Sequence, residues 1–334
     1  MNCKCGCGRE VEAREKGRPG EYYSGACRVR SHRQKGKGVT KLSAGQTLVT
    51  KVPDIVEIAS ASGTKLPALK PILKYPGSKA RLAEWIISFF PAHTHYVEPY
   101  CGSAAVFFLK KPSEHEVLND LNSSIVNLFR VIRSRGSELA QAIEMTPWSE
   151  EEYALVERNC TDGDEVEQAR RFLVRCWQAH GGTLHQVSGW KHNGLNGHAY
   201  PVRLWRQLPS RLLAVVDRLK DAEIRNRPAL EIIDYYNAPD CLMYCDPPYV
   251  LSTRGRKYYP YEMDDSQHLA LLDALDAHKG PVVLSGYGCP LYDERLSHWQ
   301  RVTLPAVAEH GKQRTEVLWL NRCASVGQQG RLFE

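Results

Sequence analysis

Four residues could do chemistry together: Asp246-Pro247-Pro248-Tyr249, directly after the apolar run Leu242 to Cys245. That run reads as a buried strand, and two prolines cannot continue its ladder, so the strand stops at the aspartate. A carboxylate, a rigid turn with free carbonyls and an aromatic ring then share one strand's carboxyl end. In open α/β sheets that end borders the ligand crevice. A carboxylate and a carbonyl aimed at one point suit an exocyclic amine, which offers two N–H donors. A flat ring beside them suits a planar base. The plainer alternative is a surface turn with two prolines.

A second reactive set opens the chain. Cys3, Cys5 and Cys7 are followed by Cys27-Arg28 and His32. Four ligands drawn from these five could close a tetrahedral zinc site resembling small treble-clef or ribbon modules. Their Cys-x-Cys-x-Cys spacing departs from the usual two-residue gap, and Tyr23 stands where such modules carry a third cysteine. The alternative is a reducible or unstructured basic head.

A third set is His95-Tyr96-Val97-Glu98-Pro99-Tyr100-Cys101-Gly102, a short strand ending at Glu98, then a turn and a helix. A further strand, Glu116 to Leu118, ends before Asp120. An acid at that distance from the first loop is placed to bond a ribose hydroxyl pair. A G-x-G-x-x-G fingerprint is absent, so the loop suits an adenosine ligand without phosphates better than a dinucleotide.

These sets need elements to hold them. At 334 residues the chain exceeds one average domain, so a large α/β unit with an appendage is expected. Residues 1–38 hold ten of the 44 Lys/Arg and four of the 38 Asp/Glu, which leaves the remainder neutral. The net charge of +6 therefore sits wholly at the amino end and points to a polyanion such as nucleic acid. No apolar run approaches the roughly 18 residues that span a bilayer, and the charged, Cys-rich start is no signal peptide. Seven of the eleven cysteines are scattered from Cys101 onward, as reduced core thiols of a cytoplasmic protein would be. Residues 39–70 lack period and read as a flexible linker.

From Pro71 the texture becomes globular. Lys74-Tyr75-Pro76-Gly77-Ser78-Lys79 runs into an amphipathic helix with Leu82, Trp85, Ile86 and Phe89 on its apolar side. Helical patterns cover Ser149–Glu157 and Glu165–Ala179. A loop rich in Gly, Asn, His and Lys follows, then Arg203, Arg206 and Arg211 on a single expected helix. Strands are expected at Ala222–Arg225, Cys241–Cys245 and Pro281–Leu284, with helices at Pro228–Tyr236 and 266–278. Leu251–Met263 is a candidate lid. Val302–Pro305 and Thr315–Leu320 should pair as a hairpin, and the last residues should fray.

In this order the pieces resemble the Dam-like, D12-class adenine-N6 DNA methyltransferases, including phage and prophage members. The resemblance rests on Lys74 to Lys79, Glu98 to Gly102, Asn119-Asp120 and Asp246 to Tyr249, with Leu284 to Tyr287, Pro290 to Tyr292 and Arg314 to Asn321 in support. It covers about residues 71–322. Ala104 departs from the family's second glycine, and is harmless there if its φ is negative.

The resemblance implies a Rossmann-like, S-adenosylmethionine-dependent fold with a mostly parallel seven-stranded sheet, in a domain of residues 71–334. It implies a helical target-recognition insertion over 138–227. The donor would lie across Tyr75, Lys79, Glu98, Pro99, Gly102, Asp120 and Asp246. Asp246, Pro247, Pro248 and Tyr249 would be catalytic. Lys191, His192, Asn193 and Asn196 would contact double-stranded DNA, unless the insertion merely covers the sheet. Glu98 as a helix cap, Asp120 as a helix N-terminal acid and Lys79 as a solvated lysine are the plainer alternatives. A companion restriction endonuclease and a monomeric state complete the expectation. Competing functions are cytosine-N4 methylation and an inactive, zinc-bearing DNA-binding protein.

Overall fold

The computed structural model describes residues 72–158, 162–180, 188–192, 200–307 and 313–329. All of them belong to one compact unit, Leu66–Glu334. The zinc candidates Cys3, Cys5, Cys7, Cys27 and His32, the expected linker, and Asn193 and Asn196 lie outside the described residues.

A 3-10 turn at Lys79–Arg81 leads into α1 (Ala83–Ile87), β1 (His95–Glu98), α2 (Ala105–Leu109) and β2 (His115–Asn119). A helical block follows: α3 (Ser123–Glu144), α4 (Glu150–Arg158), α5 (Glu165–Gln178), α6 (Tyr200–Trp205), α7 (Leu208–Ala214) and α8 (Val216–Lys220). The chain then returns to sheet with β3 (Ala222–Arg225), α9 (Ala229–Tyr235) and β4 (Cys241–Cys245). It closes with α10 (Asp265–Asp276), β5 (Val282–Tyr287), α11 (Pro290–Arg295), β6 (Gln300–Val307), β7 (Gln313–Leu320) and α12 (Arg322–Gln329).

The seven strands form one sheet in the order β3-β2-β1-β4-β5-β7-β6. Pairing is parallel from β3 to β5, while β7 runs antiparallel to both β5 and β6. His95 sits level with His115 on one side and Cys241 on the other, so β1 and β4 end side by side. The order reverses between them, and this switch point opens a crevice at their carboxyl ends. The expected seven-stranded, mostly parallel sheet is what the chain builds.

Burial on both faces explains why β4 is apolar throughout. Leu242 and Tyr244 join one core with Tyr96, Leu118, Val283 and residues of α1, α2, α3, α5 and α7. Cys241, Met243 and Cys245 join the other, with Val97, Leu271, Leu272, Val282 and Trp319. Helix α10 starts on a capping box, Asp264 with Gln267, that satisfies amide groups its first turn would leave open.

One local expectation fails. Arg203, Arg206 and Arg211 do not share one helix: α6 ends at Trp205, and α7 starts at Leu208 with Pro209 in its first turn. Proline lacks the amide that a continuous helix would use there. The last residues, 330–334, for which fraying is expected, lie outside the described residues; after β7 Asn321 turns the chain into α12. Its side chain accepts from the Val282 and Ala324 amides and donates to the Gly280 carbonyl.

Candidate active site

Glu98 is the last residue of β1 and only 2 % exposed. Its Oε1 accepts from the Tyr96 hydroxyl at 2.6 Å and the Phe107 amide at 2.9 Å. The helix-cap alternative is thus partly realised, since Phe107 lies in the first turn of α2. Burial pushes the Glu98 pKa up to about 8, against the pull of those two bonds and of Lys110.

The turn after Glu98 is left-handed at Gly102, φ +48°, whose amide donates to Asp120 Oδ2 at 2.9 Å. Ala104 is left-handed too, at φ +50°, so the condition under which alanine is harmless there is not met. The strand-to-helix turn requires both residues there, and an alanine so placed costs roughly 1–2 kcal/mol. Its complete burial and the bond from its amide to the Cys101 carbonyl hold it in place.

Asp120 also accepts from the Asn122 amide at 2.8 Å, while burial pushes its pKa up to about 6. Asn119, quoted in the sequence only as a neighbour of Asp120, ties the loops together. Its amide donates to the carbonyls of Pro99 and Arg227 and its oxygen accepts from the Arg227 amide.

The Tyr75–Lys79 loop lies over this turn. A methyl group on Gly102 would sit 3.5 Å from the Tyr75 ring. Ser78 and Ser103 share a hydroxyl bond at 2.9 Å. From the loop Leu251–Met263, the Tyr259 hydroxyl donates to the Pro76 carbonyl at 3.2 Å and its ring stands 5.9 Å from that of Tyr75. Gly77 has φ +71°, and a Cβ there would lie 2.4 Å from that hydroxyl. The loop Leu251–Met263 is pinned by a part-buried Arg254–Glu262 pair, with Glu262 also accepting from the amides of Tyr258 and Tyr259.

Lys79 is not the solvated lysine of the plainer alternative. It is 6 % exposed and donates to the Gly77 carbonyl and to Asp246 Oδ2, each at 2.8 Å. Burial opposes its charge, but Asp246 and Glu316 outweigh that and hold its pKa above the ordinary value. Burial raises the pKa of Asp246, and Lys79 works against the rise. Asp246 Oδ1 is buried without a hydrogen-bond partner among the described residues.

Tyr75, Lys79, Glu98, Pro99, Gly102, Asp120, Asp246 and Pro248 thus line one crevice of about 390 Å³. That volume suits a nucleoside-sized ligand. Pro247 is buried and Tyr249 stands beside the crevice without lining it. The Tyr249 hydroxyl donates to Glu316 Oε2 at 2.8 Å, its ring meets Tyr287 edge-on at 4.7 Å, and Lys79 lies 4.8 Å from its centre. Glu316 was missed as a site residue. Its signal was an acid at the same strand parity as buried Leu318 and Leu320.

Lys191 and His192 do not line the crevice. The Lys191 backbone is anchored to the insertion, its amide donating to the Gln178 carbonyl and its carbonyl accepting from Trp148 Nε1. Among the described residues no His, Cys, Asp and Glu group could hold a metal ion, and no helix is long and apolar enough to cross a membrane.

A switch-point crevice with an acid-anchored glycine turn, on this sheet, is the architecture of a Rossmann-like, S-adenosylmethionine-dependent methyltransferase. Residues 75–304 match the family described as D12 class N6 adenine-specific DNA methyltransferase, and the chain belongs to that family. It is 24% identical over 255 residues to the DNA adenine methylase of Serratia marcescens, covering 68% of this chain and 86% of that one. It is 25% identical over 188 residues to the type II methyltransferase M.CviBI of Paramecium bursaria Chlorella virus NC1A, covering 54% and 69%. Identity to the type II methyltransferase M1.LlaDCHI of Lactococcus lactis subsp. cremoris is 30% over 113 residues, 31% of this chain. That match spans 39% of the Lactococcus protein's own length.

Proposed function

We propose that this protein transfers the methyl group of S-adenosylmethionine to N6 of an adenine turned out of double-stranded DNA. The observation that carries the reading is Asp246, one oxygen held by Lys79 and the other buried and without a hydrogen-bond partner among the described residues, in one crevice with Glu98, Gly102 and Asp120.

The residues present fit the donor. Asp120 is placed for ribose hydroxyls, Glu98 for the amino acid portion, and Tyr75, Pro99 and the Gly102 turn for the walls. When bound, S-adenosylmethionine supplies an electrophilic sulfonium methyl.

Adenine N6 is a poor nucleophile because its lone pair is delocalised into the ring. Asp246 Oδ1 accepts one of its hydrogens and the Pro247 carbonyl the other, which turns the lone pair out of the ring plane. Lys79 fixes the Asp246 rotamer so that Oδ1 faces the amine. Such charge-assisted bonds contribute about 1.5–3 kcal/mol each, whereas orientation of the reactants can save about 7–11 kcal/mol. Alignment is therefore the larger effect, and Asp246 acts as acceptor and orienter. Pro248 keeps the turn rigid.

Tyr249 stacks on the displaced base. Tyr249→Ala should lower kcat/KM by about one to two orders of magnitude, the worth of one stacking contact, with little change in duplex Kd. A loss confined to duplex binding would remove Tyr249 from the base.

Nucleosides from DNA incubated with the protein and donor should contain N6-methyladenine. N4-methylcytosine alone would overturn the base assignment, and no methylated nucleoside would overturn the reading.

Finer assignments belong to the same proposal. Residues 138–227 form the recognition insertion of a domain over 71–334, with Lys191, His192, Asn193 and Asn196 facing DNA. Residues 1–38 form a basic zinc module on Cys3, Cys5, Cys7, Cys27 and His32, joined by the linker 39–70, and the zinc content of the full chain tests it. A monomeric, cytoplasmic enzyme of phage or prophage type follows from the same resemblance. Two relatives named type II methyltransferases support a companion restriction endonuclease.

A further inference from the structure

One ring contact away from Tyr249 lies a second depression, of about 590 Å³, that the methyl transfer does not use. Tyr287, which packs against Tyr249, forms part of its wall. The β6–β7 hairpin presents Arg301, Thr303, Arg314 and Thr315 to it, and Ser252 and Thr253 approach from the loop after β4.

The two arginines differ. Arg301 lies across Gly288, where an added Cβ would stand 2.7 Å from its Nη2, and its Nε donates to Asp293 Oδ1 at 2.9 Å. Its charge is therefore already balanced. Arg314 is exposed, 5.7 Å from the centre of the Tyr287 ring, and no ion pair engages it among the described residues. Among the described residues the depression thus holds one surplus guanidinium with the hydroxyl groups of Ser252, Thr303 and Thr315 beside it, while the Thr253 hydroxyl donates to the Val250 carbonyl at 2.7 Å.

That combination matches a phosphodiester. A guanidinium grips phosphate oxygens as a fork, and serine and threonine hydroxyls are regular donors to the DNA backbone. Position agrees with chemistry. A base seated against Tyr249 stays covalently tied to its sugar and flanking phosphates, so the displaced strand has to pass beside Tyr287.

We propose that this depression seats a backbone phosphate next to the displaced nucleotide, gripped by Arg314 with Ser252, Thr303 and Thr315 as hydroxyl donors. The assignment rests on the reading of the protein as a DNA methyltransferase. The contact touches no base edge: it holds the strand open at the displaced nucleotide and so offsets part of the cost of flipping.

The test compares the full-length protein with Arg314→Gln, on duplexes with and without the sequence that the wild type methylates. Fluorescence anisotropy over a salt series reads the affinity. The variant should lose affinity on the duplex that carries the target, with its log–log salt slope shallower by about one, and lose little on the duplex without it, where no nucleotide is displaced. Donor affinity should be unchanged. Methylphosphonates placed singly around the target adenine then locate the contact. At the seated phosphate, neutralisation should weaken the wild type and leave Arg314→Gln unaffected. An unchanged slope, or additive losses at every position, would overturn the site. The parent reading is judged separately, on methyl transfer by the wild type alone.

Discussion

Asp246→Ala is expected to lower kcat on the order of 10²–10³-fold or more, with donor affinity little changed, because it removes an acceptor used as the amine reacts. The structure adds a consequence for stability. Lys79 is 6 % exposed and Asp246 holds its ammonium, so the alanine leaves a buried cation facing Glu316 and the Gly77 carbonyl. Breaking such a pair from one side costs about 3–5 kcal/mol. The single variant should therefore melt early as well as fail to methylate. The double variant Lys79→Met/Asp246→Ala removes the orphaned charge and should recover most of the melting temperature without recovering activity. Lys79→Met alone separates orientation from charge. Without its cation, burial drives the Asp246 carboxyl further up, so the acid limb of the kcat/KM–pH profile should move to higher pH. An unshifted profile would mean that Lys79 does not govern this carboxylate.

Why Asp246 and Glu98 could be found in the sequence, while the bonds that hold Asp246 and Tyr249 could not, follows from the reach of local patterns. Each acid ends or follows an apolar run buried on two faces, and Pro247 and Pro248 mark where the ladder must stop. These are signals within a few residues. The Lys79–Asp246 bond joins positions 167 residues apart, and Tyr249 to Glu316 spans 67. Neither leaves a periodic trace. The bond from Tyr259 to Pro76 is of the same kind, although the polar, tyrosine-rich composition of Leu251–Met263 marked it as a loop. Ala104 is a different case. Residue type argues for a negative φ there, and only the demand of the β1–α2 turn, met through burial, overrides it. The helical block shows the converse: Arg203 to Leu212 has a helical period, but Pro209 decides where the second helix begins.

Donor binding at neutral pH should release close to one proton from Glu98, and calorimetry in buffers of different ionisation enthalpy would measure it. Burial pushes this carboxyl from an ordinary 4.5 up to about 8, so at pH 7 it is largely neutral in the folded chain. A cationic amino group brought against it favours the ionised form and expels the proton. The sign for stability is the reverse of the usual carboxylate. A folded-state pKa above the unfolded value gives stability that is fully present below about pH 4.5 and lost as pH rises through about 8. Asp120, pushed up to about 6, acts in the same direction over a lower window. In protein without donor, the melting temperature should therefore fall from pH 6 to pH 9. Glu98→Gln cannot ionise, still accepts from Tyr96 and Phe107 through its amide oxygen, and should flatten that fall. The same variant should weaken donor binding by about 1.5–3 kcal/mol, the worth of a hydrogen bond to a charged group, and should release no proton. Equal proton release in wild type and Glu98→Gln would place the linkage on Asp120 and take the amino acid portion of the donor away from Glu98.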